Sequence, residues 1–579
     1  MLFGAALLAD AIALGYLVLV VRSVYGEGPT TPAPTPAPIS AAPPLPTYHG
    51  SLPPYVASRL PEDLQPAPSA AEADLLIERD PEGVPVRWFV PVTAWGAGIQ
   101  EGTLAELRRL ATGAVADWSD VGGLPGPVRF AATEADGSLV EAWLGGEPER
   151  FSDYEALLDA MTFGSGRWAL IPLDAVRPSV VVLAVDGRDL WSPGSAADWP
   201  FVERWAIRPR TDVGRAWAER VERALAVEPP AALRIVATGD ILQTRCTLAR
   251  IEALGDWRAP LATPLGEFLA AADLAIGSLD TSIQDLAEPY RCVETTNLTA
   301  PPETLAALQA AGFDVLSVAT NHTFDCGTAG TCGADAFLRT LELLEGAGIR
   351  PVGGGRNLEE ALAPVVVELA GVRVAVLAFD DIAAGPPNEN AATETTPGTA
   401  PMDDSYEEER ALGYPAFYAP ADLLGVERLR ERVEAAKRTA DIVIVLLQSG
   451  TEDTHDPSPR SIKAARAAVA AGADLVVGNQ AHWVQAIEPL PHAFIAYALG
   501  NFIFDQLHTI EHQQGVLLEA IVLDRRLATV RLHPYRIMDQ YRPEFVGEEE
   551  ARKILGDIFA ATSRVLGAGE AARTVPAGR

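Results

Sequence analysis

Basic residues are scarce in this 579-residue chain: 45 Lys and Arg stand against 78 Asp and Glu, a formal net charge of −33. Such a charge repels a phosphate backbone, which argues against nucleic acid as a partner. Cysteine is scarcer still, with four residues, Cys246, Cys292, Cys326 and Cys332. They form no CxxC pair and have no suitably interleaved histidine, which disfavours a cysteine zinc site. An even number gathered in one segment suits two disulfides outside the cytoplasm, with Cys326 and Cys332 closing a small loop and Cys246 left for Cys292. No GxSxG nucleophile elbow is present, so acyl transfer on a serine is not expected. Gly353, Gly354 and Gly355 are not followed by the GK[ST] of a phosphate loop and read as a tight turn.

With 48% apolar and 21% charged residues the chain is globular, and its length suits two folded units plus linkers. Residues 2–21 are long enough to cross a bilayer and carry Asp10 as their only charge, so residues 1–22 read as a transmembrane anchor. A signal peptide fits less well, because neither a basic start nor a small-x-small cleavage motif is visible. No Lys or Arg precedes the run, so flanking charge gives no orientation. The cysteines do, and they place the body on the extracellular side of the cell membrane. Residues 23–68 are rich in Pro, Thr, Ala and Ser and read as an extended spacer. Residues 69–229 form a mixed α/β domain, residues 230–545 a larger α/β domain, and residues 546–579 a C-terminal amphipathic helix and tail.

What is abundant in the larger domain is one layout. LRIVATGD (233–240), DLAIGSLD (273–280), FDVLSVATNH (313–322), DIVIVLLQSG (441–450), DLVVGNQAH (474–482) and FIAYALGNFIFD (494–505) each run from a buried-strand pattern into a polar cluster. Ala-rich helical tails precede three of these strands, which implies a largely parallel sheet covered on both faces. In such sheets ligands collect at the carboxyl ends of strands, so the polar clusters predict one assembled site.

These segments, with GGGRNLEEA and SGTEDTHDPSPRSIKAARAAVAAGADLVVGNQAHWVQAIEP, resemble in order the CapA family of capsule and poly-γ-glutamate synthesis proteins, a branch of the calcineurin-like metallophosphoesterases. The resemblance implies a layered α/β/β/α metallophosphoesterase-like sandwich, preceded here by the smaller α/β domain and the membrane helix. It also implies a cell-envelope polymer, or its synthesis complex, as partner, and a divalent metal (Mn, Fe or Zn) held at strand ends, where it polarises a phosphate and activates water. Carried over position by position, the metal set is Asp240, Asp280, Asn321, Gln448, Gln480 and His482, with His322 as general acid. Asp280 stands where the family has Glu, and Gln448 and Gln480 stand where it has histidines. An amide oxygen is a weaker ligand than imidazole for such metals, so one ion, or none, is expected, and a metal-dependent phosphatase or a non-catalytic polymer-binding protein remain the alternatives.

Simpler roles stand beside these: Asp240 as a helix N-cap, His322 and His482 as core histidines, Asn501 closing a turn, Asp325 capping the loop of Cys326. His455 and His508 are at most substrate contacts. Within residues 69–229, LRRLATGAVADWSDVGG (107–123) and GRWALIPLDAV (166–176) resemble the solute-binding domains of phosphate-type transporters. Their Ser- and Thr-rich anion-gripping loops are not recognisable, so a spacer or interaction role is the alternative there.

Overall fold

The computed structural model describes residues 45–192, 194–329, 332–383, 389–413 and 419–574. The anchor read at residues 1–22 and residues 23–44 of the spacer lie outside them. No helix among the described residues is long and apolar enough to cross a membrane. The chain forms two compact units, one made of the described residues up to Ile77 with Ile207–Val221, the other of Glu78–Ala206 with Glu222 onward.

In the smaller unit Thr47–His49 pairs in parallel with Gln65–Pro66 and with Leu75 and Leu76. Asp74 accepts hydrogen bonds from the backbone and hydroxyl of Thr47, both at 3.0 Å, and from the Thr211 hydroxyl at 2.6 Å. The end of the segment read as an extended spacer is thus held in a small sheet, because Thr47 supplies two donors to one carboxylate.

The larger unit carries the sandwich. Its first sheet begins with parallel strands β1 (Ala232–Ile241), β2 (Leu274–Leu279), β3 (Phe313–Ser317) and β4 (Arg350–Val352). The second sheet comprises β5 (Val365–Leu369), β6 (Val372–Asp380), β7 (Ile442–Gln448), β8 (Leu475–Asn479), β9 (Ile487–Pro489) and β10 (Phe494–Ala496). Its order is β5-β6-β7-β8-β10-β9, with β6, β7, β8 and β10 parallel. The chain then returns to the first sheet. There β11 (Asn501–Ile503) pairs with the end of β1, and β12 (Gln514–Leu523), β13 (Arg526–Met538) and β14 (Arg542–Phe545) extend it as an antiparallel meander.

Side-chain alternation along these strands sorts the layers. Ile235, Ala237 and Ile276 of the first sheet meet Val376, Ile444 and Val477 of the second in one buried core. The opposite side chains of the first sheet, Val236, Ala275 and Leu316, pack under α1 (Pro264–Ala270), α2 (Leu305–Ala310) and α3 (Ala334–Gly346). Beyond the second sheet, α4 (Tyr406–Leu412) is tied to the end of β6 by a hydrogen bond from the Tyr406 hydroxyl to the Asp380 carbonyl. Leu377, Val445 and Val476 pack under α5 (Glu427–Lys437) and α6 (Pro459–Ala470). The layers therefore run α/β/β/α.

Residues 89–182 form a further mixed sheet, in which 89–93 run antiparallel to 168–172 and 129–131 run parallel to 167–169. Its core, with Trp118, Trp168 and Phe201, is continuous with Ile521, Leu523 and Ala528 of the β12–β13 hairpin. Polar contacts reinforce the junction: Gln100 bonds Leu532 through both ends of its amide, and buried Arg531 donates to the Val182 carbonyl and to Asp189. The helix α7 (Glu548–Thr574) adds Phe559 against Trp95 and Phe163.

Both disulfides are formed, Cys246–Cys292 and Cys326–Cys332, and no described cysteine is free. Closing the first across 46 residues contributes roughly 4 kcal/mol in the chain-entropy account. Peptide mapping of non-reduced protein is expected to recover these two cross-linked pairs. Four free thiols would contradict both the pairing and an oxidising location.

Candidate functional site

The strand ends named in the sequence converge. Asp240 lies beside Ser278 and Asn501 in the first sheet, and Asp380, Gln448 and Asn479 form one row across the second. Asp240 is within a strand, and the cap position of the next helix, Arg245–Leu254, is Thr244; the N-cap reading of Asp240 is therefore wrong. Gly239 lets this strand end approach β11, since a Cβ there would lie 1.8 Å from the Gly500 carbonyl oxygen. Gln480 and His482 both adopt left-handed backbone, with φ of 90° and 58°, a strain that turns the loop after β8 toward the first sheet.

One chain of hydrogen bonds joins the sheets. The Ser278 hydroxyl donates to Gln448 Oε1 at 3.3 Å, Gln448 Nε2 to Gln480 Oε1 at 2.8 Å, and Gln480 Nε2 to Glu452 Oε1 at 3.1 Å. The Gln480 backbone N–H donates to Asp240 Oδ2 at 3.2 Å, and His482 Nδ1 lies 3.5 Å from the same oxygen and 2.8 Å from Asn501 Oδ1. His322 Nδ1 bonds Asp325 Oδ2 at 2.7 Å.

Charge is crowded here. Burial, and after it the Asp240 charge, push the Asp280 carboxyl up to about 6 against the pull of His322 and His482. Burial works against a charged His482, yet its bond to Asp240 and the nearby Glu452 and Asp280 push it up to about 9. His322 is likewise desolvated but raised, by Asp280 and Asp325. Two buried acids and two imidazoles thus act on one another at the strand ends, a cluster whose shifted pKa values make it the candidate site.

A cation needs donors that nothing else has claimed. Asp240 Oδ1, both carboxylate oxygens of Asp280 and Asn321 Oδ1 are buried with no hydrogen-bond partner in the protein. Orphaned oxygens of this kind are costly in an interior, and a bound water or a divalent ion would satisfy them. Asp240, Asp280 and Asn321, with His482 beside them, are the residues that would hold such an ion, and they would suit no more than one. Gln448 and Gln480 are engaged with each other, and among the described residues no three His, Cys, Asp or Glu side chains stand together in a metal-holding group. Such an ion would polarise a phosphoryl oxygen and lower the pKa of bound water. His322 has Nδ1 committed to Asp325, so any proton it moved would pass through Nε2.

Three neighbours escaped the sequence reading. Asp325 does tie its loop, through the Leu298 N–H at 2.6 Å, but it also orients His322, and the His-x-x-Asp spacing was the available signal. Asn501 touches His482 and does more than close a turn. Glu452 had no signal beyond its place after β7. His455 is bound through Nδ1 to the Val484 carbonyl and stacks near Trp483, holding the loop.

Beside the pocket, Asp380 is buried with Oδ1 accepting the N–H groups of Ile382 and Ala383 at 2.7 and 2.8 Å. Burial outweighs these bonds and pushes its carboxyl up to about 7. The folded state therefore holds this proton more tightly than the unfolded chain. The resulting penalty is absent at acid pH, grows as pH rises above the ordinary carboxylate range, and is complete above about 7. Asp380→Asn keeps the accepting oxygen, so its melting temperature should match the parent near pH 4 and exceed it increasingly toward pH 8. A constant offset across that range would refute the assignment.

Residues 234–506 match the sequence model of the family described as bacterial capsule synthesis protein PGA_cap. The chain is 28% identical over 333 residues to the capsule biosynthesis protein CapA of Bacillus anthracis, covering 56% of this chain and 73% of that one. It is 30% identical over 237 residues to the PGA biosynthesis protein CapA of Bacillus subtilis (strain 168), covering 41% of this chain and about half, 54%, of that one. Among solved structures, an ABC-type phosphate transport receptor from Vibrio cholerae matches at 14% identity and a TM-score of 0.24, over 28% of this chain and 80% of that one. That likeness is too low to bear on fold or ligand.

Proposed function

We propose, from the match of residues 234–506 to the family of bacterial capsule synthesis proteins, that this chain serves extracellular polymer production, capsule or poly-γ-glutamate in type, through a metallophosphoesterase-type pocket holding one divalent ion. The observation that carries the reading is the set of orphaned oxygens on Asp240, Asp280 and Asn321, all within the residues that match the family. On this reading residues 1–22 anchor the protein in the cell membrane with its body outside, in contact with the polymer or its synthesis complex. The two disulfides support that placement.

A second reading, a polymer-binding protein without turnover, is favoured by the bond between Gln448 and Gln480, which fills the place of two family imidazoles with mutually satisfied amides. Complementation separates the two. In a strain lacking this gene, surface polymer is expected to return with the wild-type chain and to stay absent with Asp240→Ala. His322→Ala should fail as well if the pocket is catalytic and succeed if it only binds. Full polymer with Asp240→Ala would remove the pocket from the function altogether.

A further inference from the structure

Asn501 is fully buried, and each polar atom of its side chain is used. Its Nδ2 donates to the His512 carbonyl and to Gln506 Oε1, both at 3.1 Å, and its Oδ1 faces His482 Nδ1 at 2.8 Å. An amide can be drawn either way round, but a backbone carbonyl only accepts, so the nitrogen must face His512 and the oxygen must face His482. The Tyr535 hydroxyl holds the Asn501 carbonyl at 2.8 Å, and β11 is paired with the end of β1 at Asp240. The amide is therefore fixed in place as well as in orientation.

We propose that Asn501 is a positioning residue that holds neutral His482 as its Nδ1–H tautomer and so leaves Nε2 as the nitrogen offered to a ligand in the pocket. Two oxygens face Nδ1, Asn501 Oδ1 at 2.8 Å and Asp240 Oδ2 at 3.5 Å; both only accept, which puts the proton on that nitrogen, and the amide, within hydrogen-bond distance, is the stronger hold. Hydrogen bonding of this kind sets which imidazole nitrogen remains free and orients the ring. The two site histidines are then arranged alike: Asp325 holds Nδ1 of His322, and Asn501 holds Nδ1 of His482. Only the consequence for cation binding rests on the function proposed above.

The test is nitrogen NMR of the full chain carrying isotope-labelled histidine, recorded through a rising pH series to the plateau at which the His482 nitrogen shifts no longer change and the ring is neutral. His482 is expected to show a protonated Nδ1 and a bare Nε2. Asn501→Leu should give a mixture of tautomers, and Asn501→Asp, which still accepts, should keep the Nδ1–H form. A bare Nδ1 in the wild-type chain overturns the proposal whether or not any variant folds, and so does an Asn501→Leu spectrum identical to wild type. Calorimetric titration with Mn2+ should show affinity reduced roughly 10–100-fold in Asn501→Leu. If wild-type protein binds no Mn2+ while showing the Nδ1–H form, the positioning role stands and the cation reading fails.

Discussion

Replacing Arg460 with leucine is expected to cost about 3–5 kcal/mol of folding stability. The guanidinium is buried, with Nε 3.1 Å from Asp381 Oδ2, Nη2 2.5 Å from Asp381 Oδ1 and Nη1 2.6 Å from Glu409 Oε1. Both carboxylates are buried too, and the Ser449 hydroxyl donates to Asp381 at 3.1 Å. Removing the cation strands two interior charges with little water to replace it. Replacing all three ionic residues with leucine should recover much of the loss, since the penalty comes from unpaired charge rather than from the missing contact. Urea unfolding of the single and triple variants measures this. A cost under about 1 kcal/mol for Arg460→Leu would mean that the carboxylates find solvent. The network also joins α4, through Glu409, to the residues following β6 and β7, so the single variant should loosen the carboxyl edge of the second sheet before the rest of the sandwich.

Changing Gln448 and Gln480 together to histidine should raise the number of tightly held divalent ions from one to two. In the present chain the two amides satisfy one another at 2.8 Å and have no charge to offer. Imidazole brings a strong nitrogen donor at each position, and borderline metals such as Mn, Fe and Zn prefer it to an amide oxygen. The same replacement breaks the path from Ser278 to Glu452, so some loss of stability should accompany the gain. Asp240→Ala should work in the opposite direction and abolish binding, because Asp240 supplies an orphaned oxygen and also anchors the Gln480 backbone. Metal analysis after gel filtration distinguishes these outcomes. A double variant that still holds a single ion would show that the amides are not what limits the site.

Much of the sandwich was legible because its central strands are buried on both faces, so runs such as IVIVLL and LVV stand out, and the polar residues closing them mark the carboxyl edge. The convergence of the strand ends was legible too: Asp240, Asp280, Gln448, Gln480 and His482 all lie at the predicted ends and interact. What stayed hidden depends on returns of the chain that periodicity does not encode. Asn501 reaches His482 because β11 crosses back to β1, 261 positions earlier in the register pair Asp240–Asn501. Arg460 sits in the polar phrase PSPRS and reads as a surface residue, since its partners are 51 and 79 positions away. Thr47–His49 was hidden for the opposite reason, as three ordinary residues at the end of a proline-rich run.

The central proposal is that the strand-end cluster of Asp240, Asp280, Asn321 and His482 holds one divalent ion and not two. Metal content measures it directly: wild-type protein saturated with Mn2+, passed through gel filtration and analysed by mass spectrometry, should retain about one equivalent. Two tightly held equivalents in the wild-type chain, or none, would contradict it.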